Sequence, residues 1–427
     1  MNRRFVNLVV ANYRSKMLAL HRVDVSKHLF YPSTAEAEAA HAKEKENNNG
    51  GGGGKPKPLR IERLRRLPAP ITGFESSPTT NPNWGFGSWR EDMFVLLHGP
   101  SGRGGGEPGR ILHANGDGHV TLYDADSHSV ISVPDLTEPK GDTPIPFAIA
   151  GAAGEEESLY VMRSVPKEPA YNNNKCSLNF EVLDFGGGGD SSRRSYCLGH
   201  RSNLQWQPLP PPPMVDGRFA ISTVLDGGRV ICVSVRSPCL SSVRDGDGTF
   251  CFDTARRKWW RSGDWRLPFE GMCEYVPELG TWLGFSPVHP HHLCAADLSG
   301  VAMAGCRAEE PALQHVWEDF NPPPVEETSL VLNKRFPGIV HTTRVHWEAC
   351  QLHLANLGSG RFCIAKVFRA EETISLSCSF DEFPTTKDIL TVLIGVEVVR
   401  GGEGGLRMVK HKSKRFKFPG NRIKWVL

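Results

Sequence analysis

No two of the eleven cysteines stand as Cys-x-x-Cys, no Asn-x-Ser/Thr sequon occurs, and the cysteine count is odd. These absences argue against a zinc ribbon, a thioredoxin-type redox pair and a disulfide-stapled secreted domain. The cysteines are scattered from Cys176 to Cys378, several inside apolar runs such as Arg229-Val-Ile-Cys-Val-Ser-Val235, and are expected as free buried thiols in a cytoplasmic or nuclear protein. No apolar run approaches the ~18–20 residues of a membrane helix, so no membrane contact is expected. Met1–Val23 lacks acids, but Asn7 and Asn12 interrupt it and serine is scarce, so no cleaved organelle signal is expected.

Catalytic motifs are missing too. Gly54-Lys55 is followed by Pro56 instead of Ser or Thr, so there is no phosphate-binding loop, and no Gly-x-Ser-x-Gly elbow exists. His289-Pro-His-His-Leu-Cys294 has ligand chemistry but not the spacing of a recurring zinc motif. His291 and His292 are adjacent, and neighbours in a strand face opposite ways. Glu155-Glu-Glu157 and Glu371-Glu372 read as solvated loop tips. No cofactor, metal or catalytic residue is expected.

Charge is unevenly spread. The net charge of the chain is +3. Residues 1–30 carry +5 and residues 406–427 carry +8, which leaves −10 on the stretch between them. An acidic body with basic ends is not the profile of a dedicated nucleic-acid binder, so no nucleic acid is expected as a ligand. The densest basic run is Arg407, Lys410, Lys412, Lys414, Arg415 and Lys417. Its alternation suits a lysine-protected edge strand, contact with an acidic partner, or a nuclear-import signal.

What the chain does have is many short strand signals, bounded by Gly, Pro, Asp or Asn. Examples are Met93–Leu97, Ser158–Met162, Arg218–Leu225 and Ile389–Val399. Helix-like periodicity is confined to the first ~45 residues and to 307–320. Residues 35–58, ending in an Asn/Gly run, are expected to form a disordered insertion, with strands of 1–34 joining a domain over 59–427. Pro208–Pro213 reads as a rigid connection between strands.

A degenerate repeat organises the strands. Each unit is a strand ending in Asp, a turn that this Asp can close, then a strand with an apolar or Trp plug. The anchors are Asp124, Asp184, Asp253 and Asp297, with Trp206, Trp259 and Trp317 as plugs. Such hairpins cannot bury a face alone, whereas several stacked around an axis can. The expected fold class is therefore all-β: a single divergent β-propeller of about five or six blades. The N- and C-terminal strands are expected to close it, with Phe5–Val10 beside the strand from Leu406 to Phe418 and the two basic ends merged into one patch.

The Asp-Trp-Pro hairpins resemble kelch and F-box-associated propellers. Several stretches resemble, more specifically, a grass (rice-type) plant family, domain of unknown function 1668. They are Arg3–Val10, Leu20–Asp24, Leu29-Phe-Tyr-Pro-Ser-Thr-Ala-Glu-Ala-Glu-Ala-Ala40, Leu67–Pro70, Glu274–Leu279, Leu293–Asp297, Asn356–Ala365 and Gly395-Val-Glu-Val-Val399. The resemblance implies a fold and no chemistry. The expected function is a non-enzymatic protein-interaction scaffold with a protein partner, acidic if it meets the basic closure. The alternatives are an enzyme of hydrolase or oxidase type using the central channel, and a ubiquitin-ligase substrate receptor, for which no preceding F-box-like segment is seen.

Overall fold

The computed structural model describes residues 3–12, 17–49, 61–76, 92–97, 109–125, 127–141, 143–151, 157–167, 178–186, 204–213, 217–236, 248–303, 308–331, 340–376, 383–402, 405–417 and 421–427. Residues 50–58 of the expected insertion, and Glu155 and Glu156, lie outside them. The described residues are all-β, apart from a few short helical turns and one longer helix. They divide into two compact units. One comprises Met1–Gly73, Phe285–Cys294 and His315–Val426; the other comprises Phe74–Gly284 and Ala295–Gln314 with Leu427.

The chain begins with β1 (Phe5–Asn12), β2 (Met17–Asp24), the short α1 (Val25–His28), α2 (Thr34–Asn49), β3 (Glu62–Arg63) and β4 (Thr72–Glu75). Residues 34–49, largely within the stretch expected to be disordered, are thus a helix. Ala and Glu are strong helix formers, and Ser33 and Glu36 cap its start reciprocally: the Glu36 amide donates to Ser33 Oγ and that hydroxyl donates to Glu36 Oε1, each at 3.2 Å.

Four-stranded antiparallel meanders follow. The first is β5 (Met93–Leu97), β6 (Arg110–Ala114), β7 (Val120–Asp124) and β8 (Ser129–Ser132). The second is β9 (Pro144–Ile149), β10 (Ser158–Arg163), β11 (Phe180–Asp184) and β12 (Trp206–Pro208). Next come β13 (Arg218–Leu225), β14 (Val230–Arg236), β15 (Thr249–Asp253) and β16 (Lys258–Gly263), then β17 (Glu270–Val276), β18 (Thr281–Phe285), β19 (Leu293–Ala296) and β20 (Leu313–Trp317). These last two sets join into one eight-stranded sheet, through a parallel bridge between Ser222 and Met272. Residues 313–317, where a helical period was expected, are therefore a strand.

The remaining strands are β21 (Glu326–Val331), β22 (Val340–Asn356), β23 (Arg361–Leu376), β24 (Phe383–Arg400), β25 (Leu406–Phe416) and β26 (Asn421–Val426). One six-stranded sheet runs β21-β22-β23-β24-β25-β3, and another sheet runs β26-β1-β2-β4. The chain ends do pair, but through β26: Leu8 faces Val426 and Val10 faces Ile423. The basic strand β25 lies in the six-stranded sheet. Arg422 and Lys424 thus lie on or beside the strand paired with β1, and residues 407–417 lie on or beside β25 of the six-stranded sheet. Pairing is set by register and burial across the whole unit, which the local charge pattern does not encode.

The four aspartates each bond to a backbone amide of the turn that follows them. Asp124 Oδ1 accepts the Ser127 amide, and Asp253 Oδ1 accepts those of Ala255 and Arg256. In both hairpins the residue before the next strand, His128 or Arg257, takes a positive φ, of 50° and 55°. Asp184 caps Gly186 and Asp297 caps Ser299 in the same manner.

In the second unit two plugs reach back to the preceding meander. Trp206 Nε1–H donates to the Pro134 carbonyl just after β8, at 2.8 Å. Trp259 Nε1–H donates to the Pro210 carbonyl just after β12, at 3.0 Å. Around these links lie two apolar clusters. Met93, Leu112, Leu122, Leu159 and Leu183 pack with Trp206, and Phe147, Phe180, Phe219, Phe250 and Phe252 pack together with Trp259 against them. Each buried Phe or Leu contributes about 1.5–3 kcal/mol by leaving water. Trp317 does not repeat the link; its ring stacks on His315 at 5.3 Å.

Trp206→Phe keeps most of the apolar burial and strands the Pro134 carbonyl. The expected loss is about 1–2 kcal/mol in urea unfolding, with a smaller loss for Trp317→Phe. Equal losses would mean that the indole–carbonyl bond contributes nothing of its own.

Candidate functional site

Strand β25 brings all six sequence-predicted basic residues onto or beside one strand of the first unit. β24 is its partner on one side, in a register that skips a residue: Ile394 faces Ser413 and Val396 faces Lys410, so His411 and Lys412 both oppose Gly395. The bulge fits a close backbone approach. A Cβ on Gly395 would lie 2.3 Å from the Leu29 carbonyl oxygen, and that carbonyl accepts the Lys412 amide at 2.9 Å.

The other side of β25 is covered in two pieces. Over its first half lies the segment from Leu29 to His41. The Tyr31 amide donates to His411 Nδ1 at 3.2 Å, which leaves the proton of a neutral ring on Nε2, 3.3 Å from Glu397 Oε2. His41 Nε2 is 2.7 Å from the Lys410 carbonyl and 3.2 Å from that of His411, which makes it a donor. Thr34 Oγ1 donates to Glu397 Oε2 at 2.7 Å, Arg361 Nε donates to Glu397 Oε1 at 3.1 Å, Glu38 pairs with Arg407, and the Lys412 ammonium lies 4.6 Å from the centre of the Tyr31 ring.

Burial pushes Glu397 up, but the Thr34, Arg361 and His411 bonds outweigh it and hold the carboxyl below its ordinary value. Burial dominates at His411 and lowers it despite Glu397. Thr34, Arg361 and Glu397 belong to three of the segments that carry the family resemblance, so segments remote in sequence converge on one polar network.

Over its second half β25 pairs in parallel with β3: Lys414 faces Glu62 and Arg415 faces Arg63. Lys414 pairs with Glu62, and its hydrogen bond is the largest influence holding that carboxyl low. Lys417 pairs with Asp388 at 2.8 Å, and Arg63 donates to the Lys417 carbonyl. Arg65, Arg66 and Arg415 are exposed at this edge. The first two belong to a run, Arg63-Leu-Arg-Arg66, whose charge density was readable in the sequence but was not singled out there. The Thr34–Glu397–His411 network had no local signal.

The histidine cluster resolves into separate partners. His291 Nδ1 lies 2.9 Å from the Ser286 carbonyl oxygen, while His292 faces Asp319 at 3.7 Å. Beside them Lys366 is fully buried and donates to Asp319 Oδ1 at 2.5 Å and to the His291 and Pro290 carbonyls. All three ammonium hydrogens have acceptors, which is how a buried charge is tolerated. Lys140 is similarly enclosed in the second unit, 2.6 Å from Glu181. Among the described residues no group of three or more His, Cys, Asp or Glu is placed to hold a metal ion. Glu371 pairs with Arg369 and Glu372 with Lys387. No helix of the described residues is long and apolar enough to cross a membrane.

The family described as protein of unknown function (DUF1668) matches residues 3–416, nearly the whole chain. A search of the curated proteins finds no match.

Two histidines of the first unit make stability depend on pH. Burial pushes His353 down to about 4 and lowers His411 as well. Both folded values lie below the unfolded one, so the unfolded chain binds more protons as pH falls from about 6.5. The stability they contribute is complete above that value and is lost towards pH 4. Melting temperature should therefore fall across this window, and His353→Phe should flatten the fall. An unchanged slope in the variant would show that His353 is not held neutral.

Proposed function

We propose that this chain, which belongs to the family of proteins of unknown function DUF1668, is a non-enzymatic scaffold that binds an acidic protein through the β3–β25 edge. The observation that carries the reading is charge at that edge. Arg65, Arg66 and Arg415 are exposed beside Arg63, Lys412, Lys414 and Lys417, and the carboxylates paired there are Glu62 and Asp388. On an otherwise acidic body, a localised positive strip steers and orients an acidic partner.

The wider reading is a kelch-like propeller. Successive four-stranded meanders, Trp-to-Pro links between them in the second unit, and paired chain ends support it. The meanders would be blades, and the basic edge would belong to the last of them. The buried charges Lys366 and Lys140 are occupied by structural partners, which favours a scaffold over channel chemistry. A cytoplasmic or nuclear setting goes with it: Cys232 and Cys251 face each other as free thiols with sulfurs 3.4 Å apart, an arrangement suited to a reducing compartment.

The test uses a fluorescent poly-glutamate peptide and the full chain. Binding should weaken steeply between low and high salt. Arg65→Glu/Arg66→Glu/Arg415→Glu should lose at least tenfold in affinity without a change in melting temperature. Equal binding by the variant and the parent chain would refute the assignment of the edge.

A further inference from the structure

The first half of the basic strand is not open to a partner, and the segment that covers it is held in an unusual way. Between Leu29 and His41 the anchoring apolar side chains are at the start, where Leu29 and Phe30 join the core of the first unit. Beyond them α2 offers alanine alone, and Ala37 is its one fully buried residue among those described. The rest of the attachment is polar: Thr34 to Glu397, Glu38 to Arg407, His41 to two carbonyls, and Lys412 over Tyr31. Glu38 and Arg407 are each about half exposed, so their pairing contributes little. A helix attached in this way is bound weakly compared with a strand of the sheet beneath it.

What the helix covers is also specific. The Lys410 and His411 carbonyls that receive His41 are main-chain acceptors of β25, the kind of group an added strand also uses. The side chains beside them, Arg407, Lys410 and Lys412, continue the basic strip that runs on to Arg415. The cover brings a carboxylate of its own, Glu38, to this strand, and so presents the chemistry of the proposed partner.

Building on the reading of that edge as an acidic-partner site, we infer that α2 is an autoinhibitory cover. It competes in cis for β25, and an acidic peptide gains the Arg407–Lys412 stretch when the helix lifts about its Leu29–Phe30 anchor. Thr34, bonded to Glu397, and His41, bonded to the strand backbone, are the catches.

The test compares the full-length chain with Thr34→Val/His41→Phe, a pair of changes that removes no lysine, arginine or carboxylate. Hydrogen exchange at the amides of 406–413 should speed up. The variant should also bind the poly-glutamate peptide about five- to tenfold more tightly. Adding Lys410→Ala should cancel that gain. Unchanged affinity in Thr34→Val/His41→Phe overturns the inference, whether or not the amides exchange faster. A gain that survives Lys410→Ala overturns it as well. These outcomes are separable from failure of the edge itself, which is read from Arg65, Arg66 and Arg415 in the parent chain.

Discussion

A four-stranded antiparallel sheet has two faces and can leave only one to water, so each sheet of this protein depends on another for its stability. In the second unit the dependence is met in sequence order. The phenylalanines of β11, β13 and β15 interlock, and Trp206 and Trp259 each bond to the carbonyl that ends the preceding meander. In the first unit it is met by the two ends of the chain. β1 lies between β2 and β26, and Val6, Leu8 and Val10 reach one core with Ala365, Leu393, Ile423 and Val426. Without the last strand, β1 would present an open edge above that core.

The same logic explains how the basic strand is managed. An edge of lysines deters uncontrolled pairing, and here it is further shielded by β3 and by α2. The cost of placing Lys412 and His411 at a bulge is met by Gly395, which lets the Leu29 carbonyl approach and accept a hydrogen bond. Charge that goes deeper is fully bonded, as at Lys366 and Asp319, and such pairs hold geometry more than they add stability.

Much of the strand architecture was legible because its signals are local. Asp124 and Asp253 bond to amides two or three residues on, so the side chain and the turn it closes lie in the same short stretch of sequence. Trp206 and Trp259 were readable as plugs, though not their acceptors, which lie 72 and 49 residues away. What sequence could not supply was pairing. The stretches 406–416 and 421–426 are both strand-forming and basic, and the choice of β26 for β1 depends on the register of Val10 against Ile423. The helix at 34–49 was obscured by the Asn/Gly run that follows it, since composition averaged over 35–58 hides the Ala/Glu half. At the candidate site the six basic residues were visible, but their carboxylate partners come from Glu38, Glu62 and Asp388, far along the chain.

The claim on which the first unit rests is that the chain's two ends pair as neighbouring strands. Hydrogen exchange of the β1 amides, compared between the full chain and one ending at residue 420, addresses it directly. Pairing predicts slow exchange over Leu8–Ala11 in the full chain, comparable to β23, and a marked loss of protection there in the shortened chain. Fast exchange over Leu8–Ala11 in the full chain, or protection that survives removal of β26, would contradict it.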